Sequence, residues 1–290
     1  MADGFLARTY RKYNGIYPLF GGNTPATPTF VGTTTIANGT TSSVTTASGY
    51  DMVVFYASPS GRFRVDGTGT FTARMLIVGA GNDGGVGSNG VSGAGGDGGT
   101  VTYYVDYVFQ AGVQYSLQVY DTISGSGNVV LAINPNSFPN PPYQELIVVT
   151  PGGGAVGASS VSGLSNGATG SIGFLSNITG TTASYGGGGG SGASIPASGF
   201  GVARFQSGGK GNNFYNSVDN GNGGDASRFS NDILDYVNSG DTGTVGTGNG
   251  GGGGGTVWAE PAPSGGTKQW FNGGKGYGGR GAIIIRYSVT

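Results

Sequence analysis

Asn249-Gly250-Gly251-Gly252-Gly253-Gly254-Gly255-Thr256 holds six consecutive glycines, and such a run is either a flexible linker or a solid held together by something other than side chains. Glycine loses more conformational freedom on ordering than any other residue, so the linker reading comes first. Two features of the surrounding sequence oppose it. Linkers built for flexibility lack large side chains, whereas here the runs Gly186 to Gly190, Gly250 to Gly255 and Gly273 to Gly281 alternate with Phe200, Phe205, Phe214, Tyr215, Phe229, Tyr236, Trp258, Trp270, Phe271 and Tyr277. Aromatics at that density require burial or a partner. The glycine region also ends in the apolar strand Ala282-Ile283-Ile284-Ile285-Arg286-Tyr287, which must pair with something earlier in the chain. The region is therefore closed at both ends, as an insertion in a fold is.

An extended threefold helix of the polyproline-II type forms no internal hydrogen bonds, and its N–H and C=O groups all point outward. With hydrogens in place of Cβ atoms, such helices can approach closely enough to bond sideways, which meets the requirement that buried backbone groups be paired. Collagen does so with a strict Gly-X-Y period, and no three-residue period runs through this chain. The expected fold is mainly β with extensive non-α, non-β structure: an antiparallel β N-terminal part, a packed bundle of polyglycine-II helices and almost no α-helix.

Composition limits the function classes. Only 9% of the 290 residues are charged, and 13 basic against 14 acidic residues leave a net charge of −1. That balance carries no electrostatic footprint for nucleic acid or an anionic membrane. The absence of cysteine and histidine removes disulfides, thiolate metal sites and the commonest general base. No apolar run is long enough to span a bilayer, and the N-terminus lacks the apolar core of a signal peptide, so a soluble chain without membrane insertion is expected.

Three regions are read along the chain. Residues 1–22 set Arg8, Arg11 and Lys12 among Tyr10, Tyr13 and Tyr17, the pattern of an arm that docks on another protein or packs on its own domain. Residues 23–70 are Thr/Ser-rich and β-prone, with a weak strand over Thr29 to Thr35. Residues 71–290 form the glycine-rich domain closed by the strand 282–287. Stronger strands are expected at Asp51 to Ala57, Gly61 to Asp66, Thr70 to Val78, Val101 to Phe109, Gln114 to Asp121, Val129 to Asn134 and Glu145 to Thr150. Asn231 to Asn238 is the only stretch with a helical pattern.

Two motifs invite chemistry. Gly79-Ala80-Gly81-Asn82-Asp83-Gly84 has the G-x-G-x-x-G spacing of dinucleotide sites, but that mechanism needs a helix to follow, and Gly85-Val86-Gly87-Ser88-Asn89-Gly90 cannot supply one. Among 65 glycines the spacing arises by chance, and no cofactor is expected. Asp219, Asn220, Asn222 and Asp225 form a cluster of hard oxygen ligands that makes Asp219, Asn222 and Asp225 a weak calcium candidate. Turn-forming Asx residues explain the same cluster more simply. Glu145 and Glu260 are the only glutamates, without an evident partner carboxylate for glycan cleavage, so an enzyme is not expected.

Gly69 to Gly81, with the strand Arg74-Met75-Leu76-Ile77-Val78 entering the glycines, resembles the opening of a glycine-rich domain common in bacteriophage tail-fibre proteins. Gly279-Arg280-Gly281-Ala282-Ile283-Ile284-Ile285-Arg286-Tyr287 resembles its closing strand, Asp97 to Val105 and Gly112 to Val119 its hairpin, and Gly223 to Phe229 an internal element. The resemblance covers roughly residues 50 to 290. It implies a sandwich of polyproline-II helices whose exposed loops contact a host receptor, protein or glycan. On that basis the chain is expected to be a virion surface protein, a receptor-binding adhesin at a tail fibre or tail tip. Contacts are expected in the loops Ile195 to Phe205, Asn212 to Val218 and Trp258 to Trp270, through Phe200, Phe205, Phe214, Tyr215, Trp258 and Trp270. Attachment to other virion proteins is expected through the N-terminal region, with Arg8, Tyr10, Arg11, Tyr13 and Tyr17, and a homo-oligomer is compatible with the reading. The alternatives are a decoration or appendage protein on the capsid exterior and a glycan-cleaving fibre enzyme.

Overall fold

The computed structural model describes residues 27–32, 50–55, 61–66, 68–119, 128–133, 144–197, 202–211, 226–228, 232–261 and 265–288. Among these residues there is no helix, and the chain is strand and non-helical structure throughout. The base is a pair of antiparallel sheets. One contains β1 (Thr27–Gly32), β3 (Gly61–Asp66), β6 (Gln114–Val119), β7 (Val129–Ile133) and β8 (Gln144–Val149) in the order β1-β3-β6-β7-β8. The other has the order β2-β17-β4-β5, with β2 (Tyr50–Phe55), β4 (Thr70–Val78), β5 (Val101–Gln110) and β17 (Ala282–Ser288). Strands from both sides of residue 70 share each sheet.

β4 and β17 are the reason the second sheet is central. Along β4, Phe71 and Ala73 are buried and alternate with less buried neighbours, and then Met75 to Val78 are all buried. The apolar runs Met75-Leu76-Ile77-Val78 and Ala282-Ile283-Ile284-Ile285 are continuous because both faces of the sheet are covered at that end. Met75, Ile77, Ile283 and Ile285 pack against Leu117, Val119, Val129 and Leu131 of the facing sheet. Leu76, Val78, Ala282 and Ile284 pack on the other side with Ile178 and Tyr185, which belong to the hairpin of β9 (Phe174–Ser176) and β10 (Ala183–Tyr185). Each fully buried Ile or Leu contributes roughly 1.5–3 kcal/mol. Arg286 Nη1 donates to the carbonyl of Asn177, fixing the hairpin loop to β17.

In the inter-sheet core the ring of Phe109 meets Tyr115 edge-on at 5.0 Å, and Gln110 N–H donates to Tyr115 Oη at 2.7 Å. Burial raises the Tyr115 hydroxyl pKa above its ordinary value, with this hydrogen bond opposing, and burial also raises that of Tyr107. A phenol whose pKa is higher in the folded state contributes stability that is intact below the unfolded value of about 10 and is lost as pH rises through the folded value. Denaturant melts at pH 8 and pH 11 should show the loss only at the higher pH. Tyr115→Phe should reduce that pH dependence and cost about 1–3 kcal/mol at pH 8, because Gln110 N–H is left unpaired.

Four strands of the two base sheets are continuous with glycine segments: β4 with 79–87, β5 with 91–100, β8 with 151–161, and β17 with 273–281. These segments, together with 165–173, 186–194, 207–211, 238–244 and 248–256, bond sideways to one another. The pattern is clearest at 248–256. Gly250, Gly253 and Thr256 donate to the carbonyls of Gly187, Gly190 and Ala193, Gly251 and Gly254 to those of Asn82 and Gly85, and Gly252 and Gly255 to those of Asp241 and Asn238. Its carbonyls follow the same rotation: Gly251 and Gly254 accept from Gly96 and Gly93, and Gly252 and Gly255 from Gly276 and Gly273. Direction therefore changes with every residue and returns every third, so one strand of glycine bonds to five neighbours where a β-strand bonds to two.

The period that is absent over the whole chain is present locally. Glycine recurs at 167, 170 and 173, at 240, 243 and 246, and at 154 and 157, while the residues that interrupt glycine at 94, 97 and 100 are also three apart. Peripheral segments carry one or two glycines per three residues, because only the positions turned toward a neighbour must lack a Cβ. A Cβ on Gly240 would lie 2.1 Å from the carbonyl oxygen of Gly252, and one on Gly250 1.9 Å from that of Gly96. The interior segments 248–256 and 186–194 meet neighbours all round, and these are the segments that hold the long glycine runs. The glycine content of a segment thus reports how many of its faces are covered.

The G-x-G-x-x-G stretch is one of these segments. Gly79, Asn82, Gly85 and Ser88 donate to the carbonyls of Thr100, Asp97, Ala94 and Val91, and the chain reverses at Asn89-Gly90 with φ of 44° and 90°. Two successive positive φ angles are those of a type I′ turn, which explains the Asn-Gly pair. The helical pattern at Asn231 to Asn238 is overridden: Leu234–Val237 is strand β14, held by antiparallel pairing to Ala226–Arg228. With period-3.6 and period-2 readings both available over so short a stretch, the partner strand decides.

Candidate functional site

The end of the bundle opposite the two sheets is closed by short strands and loops. β11 (Ser194–Ile195) runs parallel to β15 (Thr256–Ala259), which pairs antiparallel with β16 (Gln269–Asn272). β12 (Arg204–Gln206), β13 (Ala226–Arg228) and β14 form a second small sheet. Ala193, Ile195, Ala226, Val257 and Ala259 make a compact apolar core between them, joined by Leu234, Val237 and Phe271. Neither sheet could stand alone, and the core they share holds them together.

Two aromatic pairs mark this tip. Trp258 and Trp270 lie directly opposite across β15 and β16, with rings 5.3 Å apart and nearly perpendicular, and both are half-buried. The Trp270 ring also covers Gly90, where a Cβ would come within 2.6 Å of it, so this tryptophan locks the turn of the first two glycine segments beneath the tip. Phe205 and Tyr236 share a face of the second sheet on either side of Ser227, with rings 6.2 Å apart. Phe205 is 56% exposed, and the neighbouring Val202 is 49% exposed. Of the expected contact residues, Phe205 thus presents its ring to solvent, while Trp258 and Trp270 divide theirs between packing and surface. Phe200, Phe214 and Tyr215 lie outside the described residues, as do the calcium candidate Asp219, Asn222 and Asp225 and the arm residues Arg8, Tyr10, Arg11, Tyr13 and Tyr17.

Beneath the loops sits a charge cluster that sequence reasoning did not single out. Arg228 is 1% exposed; its Nη1 donates to the carbonyls of Pro196 at 3.1 Å and Trp258 at 3.3 Å, and its Nε lies 3.6 Å from Asp232 Oδ1. Asp232 is itself buried, and its second oxygen accepts from Lys268 Nζ at 2.8 Å. It stands in the left-handed region at φ 66°, and its carbonyl accepts from Glu260 N–H. Burial lowers the pKa of Arg228 against the opposing pull of Asp232. One guanidinium thereby joins the ends of β11, β13 and β15, and its only sequence signal was a lone arginine in a charge-poor strand.

Glu260 lies at this tip, where its Oε1 accepts from Gly265 N–H, whereas Glu145 is on β8 in the base. Among the described residues no group of three or more carboxylates is placed to hold a metal ion, and no helix is long and apolar enough to cross a membrane. Comparison with models of protein families, with curated proteins and with solved structures returns no match.

Proposed function

We propose that this chain is a non-enzymatic structural protein of a bacteriophage virion surface, a receptor-binding adhesin at a tail fibre or tail tip. In this reading the laterally bonded segments are polyglycine-II helices, threefold and extended, and together they form a stiff support. The supporting observation is that the bundle, bonded in rotation around 248–256, ends in short strands carrying the exposed Phe205 and the Trp258–Trp270 pair. Loops fixed on a rigid scaffold are where binding surfaces are usually found, and exposed aromatics are what such surfaces use. The base then faces the virion, and residues 1–22 dock on a neighbouring virion protein.

The test uses labelled protein and host cells. It should bind the cell surface and block infection when added in trans, and Phe205→Ala should weaken binding more than tenfold while leaving the thermal midpoint unchanged. Labelling spread over the capsid shell, without competition for infection, would instead identify a decoration protein. New reducing ends released from host polysaccharide would identify an enzyme.

A further inference from the structure

Residues 146–203 contain no Asp, Glu, Lys or Arg, in a chain that carries 27 such residues elsewhere (13 + 14). The structure gathers much of this stretch on one flank. Segment 154–161 bonds to 91–100 and 186–194, segment 165–173 bonds to 186–194 and 207–211, and Ser171 N–H donates to the Val156 carbonyl between them. The faces left over turn outward. There Val156 is 66% exposed, Ile172 57%, Leu164 45% and Leu175 42%. Apolar side chains line the flank from the tip to the base, separated by exposed Ser159, Ser160, Asn166 and Thr169. Charge depletion around exposed apolar residues is the compositional mark of an interface centre.

We infer that this flank is where two copies of the chain associate, side by side, about a twofold axis parallel to the glycine segments. The choice of a second copy rests on the charges at its two margins. On one side Asp97, whose Oδ1 accepts from Gly157 N–H, borders segment 154–161. On the other, exposed Lys210 borders segment 165–173, where the Lys210 carbonyl accepts from Gly170 N–H. An isologous contact sets a patch against itself. An axis along the segments brings the acidic margin of one copy onto the basic margin of the other, and the neutral centre meets only its own kind. An axis across the segments would set Asp97 margin against Asp97 margin. The side-by-side arrangement also keeps both tips at the same end.

Sedimentation of the full chain should give twice the monomer mass at micromolar concentration. The double variant Val156→Asp, Ile172→Asp should weaken association at least a hundredfold with the thermal midpoint of the monomer retained, since both side chains are exposed. The chain has no cysteine, so single cysteines report orientation directly. Leu164→Cys near the tip and Ile172→Cys near the base should each give a disulfide-linked dimer. A wild-type chain that sediments as a monomer, or a dimer unaffected by the double variant, overturns the interface. A dimer that cross-links through Thr169→Cys at mid-flank but through neither end overturns the axis.

Discussion

Gly253→Ala should abolish the folded state. In most extended or coil positions the same change is neutral or stabilises by about 0.4–1 kcal/mol, because alanine has fewer unfolded conformations to lose. At position 253 the added Cβ would sit 1.9 Å from the carbonyl oxygen of Gly93, 2.3 Å from its carbon and 2.6 Å from the Ala94 oxygen. These atoms are backbone, and backbone held by neighbours on several sides does not move aside cheaply. The Gly93 oxygen is also the acceptor of the Gly192 N–H, so displacing it breaks a bond of the adjacent interior segment as well. A loss above about 4–5 kcal/mol is expected, a size reserved for a few mechanisms that include overpacking a core. The contrast that identifies the mechanism is Thr169→Ala, at an exposed position of a peripheral segment, which should stay within about 0.5 kcal/mol of wild type. Denaturant unfolding of both variants makes the measurement. A Gly253→Ala protein as stable as Thr169→Ala would show that the segments do not touch.

Arg228→Met is the second substitution with a large expected effect, and it should act at the tip rather than through the bundle. Removing the guanidinium takes from the buried Asp232 the cation 3.6 Å from its Oδ1 and takes from the carbonyls of Pro196 and Trp258 their shared donor. Breaking a buried pair by deleting one partner costs about 3–5 kcal/mol, most of it the burden of the charge left behind. Replacing both partners, as in Arg228→Met with Asp232→Leu, should therefore cost less than the sum of the two single changes. Hydrogen exchange would locate the damage: faster exchange for β13, β14 and the end of β15, with the amides of 79–87 and 273–281 unchanged. Uniform acceleration through the bundle would contradict a role confined to the tip.

Most strands of the base were legible in the sequence, to within one or two residues at each end. Gly61–Asp66 and Thr70–Val78 are strands with the bounds expected from their alternation and flanking turns, and Ala282 onward pairs with Val78 as its apolar run demanded. The short strands β9 to β16 were not, because strands of two to four residues have no pattern of their own and exist only through the partners that packing brings to them. The three-residue recurrence of glycine is present in the sequence, though not over the whole chain. Each segment sets its own phase and its own glycine content, so the signal appears only in windows of six to nine residues. Arg228 and Asp232 were missed for a different reason: nothing in a spacing of four residues announces that both will be buried.

The order of assembly follows from where β17 lies. It is the last strand among the described residues, yet it occupies an inner place in its sheet, between β2 and β4, and the segment leading into it, 273–281, bonds to 79–87 along its length. Synthesis therefore delivers the opening residues of the bundle some two hundred residues before these partners, and until then 79–87 has its local bonds to 91–100 but lacks those to 273–281. Pairings so distant in sequence make for slow folding, because loop closure must come before any gain. The nascent chain should stay protease-sensitive until β17 emerges from the ribosome, and then become resistant in a single late step.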